Sequence, residues 1–471
     1  MFLPADVANQ VLAVLVNGSG YTTMTHVASA MNDLGRKKYG LDLGYDHKCV
    51  KRWLQGRDSD QPDLLAEVLA TAWGADITPA LIWPHTRNGN PPLPAHHHPI
   101  VATRTLQELA TLVRRDMLCT TATLTNLIPA TTGPAYADAT IRWHTADTIG
   151  LPTPDTTGTH HIDTSTIDAI DTATTRLVEY DQEFGGMLAR DGAVGHLKTA
   201  VDLLHHTTYD TTTGNRLLAT IATLAAAVGR MSHDAGLDGP AQHYLTYALH
   251  AARESTHHHA PLTSVGILAD MARHLHTLNQ PQPALRLVDH AISILPGQHT
   301  HTRAMLWNLK AHVLAATPTN RLSEIRGMLD LAANLHTEAD DEPNPEHHHT
   351  HTHHRTDADH HREAASTYLH LATIHPTHAE DLANHAETET LTALATYRPH
   401  QRRERAHSHI DLAHARHLKG HTEQAHTDTQ EAIRQTTLVP GSTRLRTQLH
   451  QLLANTAQSE RTIGNVPKRQ E

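Results

Sequence analysis

The stretch GRMSHDAGLDGPAQHYLTYA (229–248) places small residues at Gly229, Gly236, Ala241 and Ala248, offsets 0, 7, 12 and 19 from its first residue. The same spacing returns at Ala272, Asn279, Ala284 and Ala291, with Pro296 at offset 24, and again at Ala413, Gly420, Ala425 and Ala432. Small side chains at these offsets let two antiparallel helices approach closely, and the residue at offset 7 turns the chain between them. Three coincident four-point matches favour a helical repeat array over a generic Ala/Leu-rich bundle. The surroundings agree. Residues 166–457 read as helices with short breaks, and alternating Val/Ile/Tyr runs and Asn-Gly turns are scarce.

This spacing of small residues, with a proline closing the unit, resembles the tetratricopeptide repeat. The first two motifs lie 43 residues apart rather than 34, and the usual aromatics are largely missing. Residues 303–335 and 364–396 supply two further, degenerate pairs. STRLRTQLHQLL (442–453) has polar residues between its leucines, as a solvating cap helix would. Residues 458–471 are expected to form a disordered tail.

At 471 residues the chain is too long for one small core. A formal net charge of −11 excludes a globally basic nucleic-acid coat but leaves room for a local patch. Cys49 and Cys119 are the only cysteines, so neither a disulfide framework nor a thiolate zinc cage is available, which fits a reducing cytoplasm. No apolar run reaches membrane-spanning length, and MFLPADVANQ at the start lacks the basic region of a signal peptide. The twin-arginine look of Arg114-Arg115-Asp116-Met117-Leu118 lies far inside the chain and reads as the end of a surface helix.

The strongest local signal is GYDHKCVKRWLQGRDSDQPDLLAEVLATAWG (44–74). With Asp46 as N-cap, a helix follows in which Val50, Trp53 and Leu54 share one apolar face. At about 100° per residue, Lys48, Lys51, Arg52 and Gln55 fall together on the opposite face. Gly56 ends this helix, and Leu64, Leu65, Val68, Leu69 and Trp73 define another. Upstream, TTMTHVASAMNDLG (22–35) gives a short helix with Val27, Ala28 and Met31 inward. From His47 to Arg57 there are four basic residues and no acid, although residues 1–85 carry seven basic against nine acidic side chains. Lysine and arginine neutralise phosphate and donate to guanine, and glutamine pairs with adenine, so this face has the chemistry a major groove requires.

VKRWLQGRDSDQPDLLAEVLA resembles the recognition-helix signature of Cro/repressor-type (XRE) helix-turn-helix regulators, with Val50, Arg52, Trp53, Gly56 and Pro62 at the matching positions. Pro62 is displaced by the DSDQ insertion, and ASAMNDLGRKKYGLDLGYD is longer than the usual turn. The order of modules resembles large regulators of high-GC bacteria that join such a domain to tetratricopeptide repeats. The resemblance implies DNA contacts from His47, Lys48, Lys51, Arg52, Gln55 and Arg57, with Thr25 and Lys38 as further candidates. It also implies an effector, a peptide, small molecule or protein, in the groove of the repeats. Trp307, Asn308, Lys310 and His312, from an inward helix, are the candidate ligand residues.

HHHTHTHHRTDADHH (347–361) holds eight histidines and looks like a metal site. Histidine runs recur along the chain, however, and this tract follows the acid- and proline-rich EADDEPNPE, so it reads as a surface loop between helical pairs. In HPTHAEDLANH (375–385), His378 and His385 share a helical face near Glu380 and Asp381. Exposed surface histidines explain them better than zinc does. Phosphate-loop, H-E-x-x-H and G-x-S-x-G motifs are absent. The Gly185-Gly186 pair reads as a helix-ending turn.

The expectation is an all-α chain, an N-terminal helix-turn-helix domain followed by a tetratricopeptide-like α-solenoid. Residues 1–85 form the DNA-binding domain and 86–100 an extended linker. Residues 101–165 make a connecting segment, irregular from 128 onward, and 166–457 form the repeats. Such a chain would be a cytoplasmic, nucleoid-associated, homodimeric transcriptional regulator binding a double-stranded operator, with no catalytic residues, cofactor, metal or membrane contact. The alternative is a repeat scaffold whose N-terminal helices dock a protein.

Overall fold

The computed structural model describes residues 7–73, 79–83, 102–118, 128–131, 134–144, 161–297, 299–318, 321–340 and 357–464, with a few single positions between them. All regular structure among these residues is helical, apart from one isolated bridge between His161 and Thr208. No described helix is long and apolar enough to cross a membrane. The chain divides into two compact units, Met1–Thr131 and Thr132–Glu471. The linker at 86–100 and Cys119 lie outside the described residues.

The first unit is built on α1 (Gln10–Gly18), α2 (Met24–Leu34), α3 (His47–Leu54), α4 (Pro62–Trp73) and α5 (Pro79–Ile82). Their inward faces form one core that includes Leu12, Val16, Val27, Met31, Val50, Trp53, Leu65, Leu69 and Ile82. Two long-range bonds close it. Trp73 Nε1 donates to the Leu15 carbonyl at 2.7 Å, and Asn9 Nδ2 to the Ile82 carbonyl at 2.9 Å. A further helix, α6 (Ala102–Leu118), belongs to this unit and ends three residues past the arginine pair.

The second unit opens with α7 (Pro134–His144), in a stretch whose threonine, proline and glycine content predicts irregular structure. The helix is held by tertiary contacts. Tyr136 is wholly buried with its hydroxyl donating to the Gln242 carbonyl at 3.3 Å, and His144 lies 3.2 Å from His290. The connecting segment expected at 101–165 is therefore shared, α6 with the first unit and α7 with the second.

Helix pairs follow: α8 (Thr164–Phe184) with α9 (Gly186–His206), α10 (Thr211–Asp234) with α11 (Asp238–Glu254), and α12 (Ala260–Thr277) with α13 (Pro281–Ile294). Then come α14 (Thr300–Ala315) with α15 (Leu322–Asp340), α16 (Asp357–Ile374) with α17 (Ala379–Thr396), and α18 (Arg402–Leu418) with α19 (Thr422–Thr437), before a last helix, α20 (Thr443–Gly464). The helix continues past residue 457 into the stretch expected to be a disordered tail.

The three small-residue motifs have one structural meaning. Each offset-7 residue has positive φ: Gly236 at 83°, Gly420 at 74°, and Asn279 at 58°, the only described non-glycine residue with positive φ. Asparagine tolerates this region better than other side chains. The alanines at offsets 12 and 19 are all buried where the paired helices meet. At offset 0, a Cβ on Gly229 would lie 2.8 Å from Leu245 Cγ, so glycine sets the closeness of α10 and α11.

The array also closes on itself, because α8 and α10 touch α18 and α20. Gly441 N donates to the Phe184 carbonyl at 2.8 Å, and Met187 N to the Gly441 carbonyl at 3.0 Å. Gly185, with φ 92° and ψ 158°, faces Gly441 so closely that a Cβ on it would lie 2.9 Å from Gly441 Cα. The Gly185-Gly186 pair does end a helix, and it also buckles the first pair to the last.

Candidate functional site

In the first unit, α3 is specified locally. Asp46 accepts hydrogen bonds from the Lys48 and Cys49 amides at 3.0 and 3.1 Å, capping the helix. Val50, Trp53 and Leu54 are buried. Gly56, at φ 92°, stops the helix in a conformation that favours glycine. The long connection from α2 is braced rather than loose. A π turn (Gly35–Tyr39) continues α2, and Asn32 pairs with the backbone of Tyr45 through two bonds of 2.9 Å. The Tyr45 ring packs edge-on against Trp53, and its hydroxyl donates to Asp60 at 2.7 Å. Burial and then Asp60 push the Tyr45 hydroxyl pKa up.

This framework leaves the outer face of α3 open. His47, Lys48, Lys51, Arg52 and Arg57 are exposed and Gln55 is half-buried at the C-cap. Lys48, Lys51 and Arg57 make no ion pair with a described residue. Arg52 bonds only locally, to the Lys48 carbonyl at 3.4 Å and to Cys49 Sγ at 3.1 Å. Cys49 is a half-buried free thiol packed beside the core. Thr25 is exposed in the first turn of α2. Lys38 stands apart, since its ammonium lies 2.5 Å from Glu67, which also accepts from Tyr39 at 2.6 Å. Glu67 raises the Lys38 pKa accordingly. Arg36 and Lys37, in the same turn, are exposed and have no such partner.

The second unit holds a different kind of site. Where α8, α10, α12, α16, α18 and α20 converge, a cavity of about 120 Å³ is lined by five acids (Asp181, Asp234, Asp270, Asp359, Glu404) and five arginines (Arg230, Arg273, Arg362, Arg403, Arg444). Matched numbers let these charges be buried without a net field. Arg403 is the hub, 2.8 Å from Asp181, 2.9 Å from Glu404 and 3.5 Å from Asp234. Burial works against its charge, but these carboxylates raise its pKa well above the ordinary value. Burial raises Asp181 to about 6 despite Arg403, with Asp234 adding to the shift. Burial would raise Asp234 too, yet Arg403, Arg444 and the Gly186 amide hold it below its ordinary value.

His233 and His274 lie on the wall of this cavity, and Asp238 comes together with them. His274 Nε2 is 3.1 Å and His233 Nδ1 3.6 Å from Asp238 Oδ1, and the three ligand atoms lie within 4.8 Å of one another. This trio is not the HPTHAEDLANH pair that stands out in the sequence. In the structure, His385 stacks on Tyr368 and Asp381 pairs with Arg326. The signal for the trio was faint: His233 and Asp238 bracket the Gly236 turn, and His274 lies a repeat later.

The expected effector residues on α14 are packed among helices. Asn308 is wholly buried and donates to the His360 carbonyl at 2.8 Å. His312 Nδ1 is 3.1 Å from Thr367 Oγ1, and burial pushes its pKa well down. Lys310 lies over the Trp307 ring at 5.1 Å and pairs with Asp289 at 2.8 Å. None of the four lines the charged cavity. Of the histidine tract, residues 347–356 lie outside the described residues. Residues 357–361 correct the loop expectation, since they form the start of α16, with Ala358 and Asp359 buried and His360 stacked on His336 at 4.2 Å.

The family model of the SP15 N-terminal domain matches residues 12–82, from α1 to α5, which is the helical core that carries the exposed cationic face. No curated protein and no solved structure matches the chain.

Proposed function

We propose that this chain is a sequence-specific DNA-binding transcriptional regulator, with α2 and α3 as a Cro/repressor-type helix-turn-helix and the helical array as a tetratricopeptide-like solenoid that dimerises and senses an effector. One observation carries the reading. On α3, Lys48 and Lys51 stand exposed without an ion-pair partner among described residues, beside Arg52, on a helix whose other face is fixed in a core. Several other cations of the chain are closely paired, as at Lys38–Glu67, Arg403–Asp181 and Lys419–Glu387. Cations left free on a rigid element are suited to phosphates and base edges. The positive-φ turns and buried small residues of the three motifs support the solenoid reading. The charge-lined cavity suits a small, polar effector with groups of both signs, such as a short peptide. No part of this reading needs catalysis or a membrane, and its place is the cytoplasm, on the nucleoid.

Two half-sites need two recognition helices, so the proposal includes a homodimer. The test is selection of bound duplexes from a random library, followed by shift assays on the selected site over a range of salt. Replacing Lys48, Lys51 and Arg52 with alanine removes up to six cations from a dimer. The slope of log affinity against log salt should then flatten by about 5. Unchanged affinity and slope in the triple variant would overturn the reading and leave the N-terminal helices as a protein-docking element.

A further inference from the structure

The trio of His233, Asp238 and His274 joins three separate elements. His233 ends α10, Asp238 begins α11, and His274 is in the last turn of α12, so two successive helix pairs contribute. We propose that His233 Nδ1, Asp238 Oδ1 and His274 Nε2 bind a divalent transition-metal ion of the zinc class, with one coordination position left to water or an effector.

Spacing is the first argument. Zinc binds imidazole nitrogen and carboxylate oxygen at about 2.0–2.1 Å, which at the tetrahedral angle puts neighbouring donor atoms about 3.3 Å apart. The observed 3.1 and 3.6 Å bracket that figure. A hydrogen bond would explain the first distance, but 3.6 Å is too long for one.

The second argument is the state of the imidazoles. Neither ring nitrogen of His233 has a hydrogen-bond partner among the described residues, although both are shielded from solvent. Its side chain is 11 % exposed and that of His274 1 %. A buried polar atom without a partner is costly and uncommon, and an ion on Nδ1 removes that cost. The ring nitrogen that does not bind metal needs an acceptor, and both histidines face a cavity with room for water.

The donor set then selects the metal. Two imidazoles and one carboxylate suit zinc and its first-row neighbours, whereas magnesium and calcium prefer oxygen alone. Arg444, whose charge acts on His233, does not oppose this with a free charge, because Asp234 and Glu404 act on it in turn.

The test must separate this site from the chain's many other histidines. In the full-length protein, the six histidines at 347, 348, 349, 351, 353 and 354 are changed to serine, and the product is freed of metal with chelator. Titration with ZnCl2, followed by calorimetry, should give one tight equivalent. Co2+ should give the intense visible absorption of a four-coordinate site. Asp238→Asn touches only a partly exposed residue and should weaken that equivalent at least tenfold while leaving the metal-free circular dichroism and melting curve unchanged. His274→Gln should abolish the cobalt spectrum. Zinc should raise the melting midpoint of the parent but not of Asp238→Asn. No tight equivalent in the serine background, or an equivalent that survives both substitutions, would overturn the proposal.

Discussion

Replacing Gly185 with alanine tests the closure of the helical array at its tightest point. The backbone there has φ 92° and ψ 158°, a region that only glycine occupies at ease, so alanine costs about 1–3 kcal/mol in backbone strain alone. The new Cβ would also overlap Gly441 and Ser442, with Gly441 Cα at 2.9 Å. These are backbone atoms of the partner segment and cannot rotate aside, so overpacking adds about 1–3 kcal/mol. If the contact opens instead, the bonds from Gly441 N and Met187 N are lost, at about 1 kcal/mol each. Either route predicts a loss of about 2–6 kcal/mol, summed over these strain and packing terms. Gly195 is the control. It lies within α9, and a Cβ there meets nothing within 4 Å, so Gly195→Ala should gain up to about 1 kcal/mol of helix propensity. Thermal melts followed at a helical circular dichroism band, with limited proteolysis of α20, read both variants. A Gly185→Ala protein that melts at or above the parent temperature would refute the reasoning, since neither strain nor overlap could then be present.

The buried charge cluster makes a second prediction. Arg403→Met strands Asp181, Asp234 and Glu404, and losing one partner of such a cluster costs about 3–5 kcal/mol. Without the cation these acids gain protons more readily when folded than unfolded, so the deficit of the variant relative to the parent should shrink as pH falls from 8 to 5.5. A variant as stable as the parent at pH 8 would count against the hub role. The parent itself should lose stability over the same range. Burial lowers the pKa of His144 and His276 to about 4 and of His360 and His407 to about 3. Their unfolded value is about 6.5, so the unfolded chain binds more protons below it, and stability is intact above pH 6.5 and falls towards pH 4. For a group such as His276 the loss by pH 5 is about 2 kcal/mol. Asp181 and Asp411, raised by burial to about 6, oppose this, but four histidines outweigh two acids. Melting midpoints measured from pH 8 to 5 should fall; a flat or rising profile would contradict these burial effects.

Much of the architecture was legible because it is encoded locally. Asp46 as cap, the Val50–Trp53–Leu54 face and Gly56 as stop specify α3 within eleven residues, and all three lie where the periodicity put them. The offset-7 turns were equally readable, down to Asn279 in place of glycine. What failed was long-range or compositional. Nothing near Gly185 announces Gly441, because the contact spans more than half the chain. Helix α7 has weak local preference and exists through Tyr136 and His144. Asp357 and Asp359 start α16 with acids in its first turn, a favourable placement that the run of histidines obscured. The largest misreading concerned histidine itself. With two phenylalanines against 45 histidines, imidazole does part of the work of aromatic side chains here. His250, His274, His336 and His407 are buried, and rings pack together at His233–His274 and His336–His360. A surface prior for histidine hid the trio at the cavity.

The clasp between Gly185 and Gly441 has a topological consequence. A linear array of helix pairs has two ends, each short of one neighbour, and loss of structure spreads inward from there. When the last pair rests on the first, every pair has two neighbours and the array acquires a periodic boundary. Loss of any one pair then removes two interfaces, so the ring should come apart as a unit. A chain cut at one of its inter-pair turns and rejoined across the clasp would keep the same neighbours in the same cyclic order.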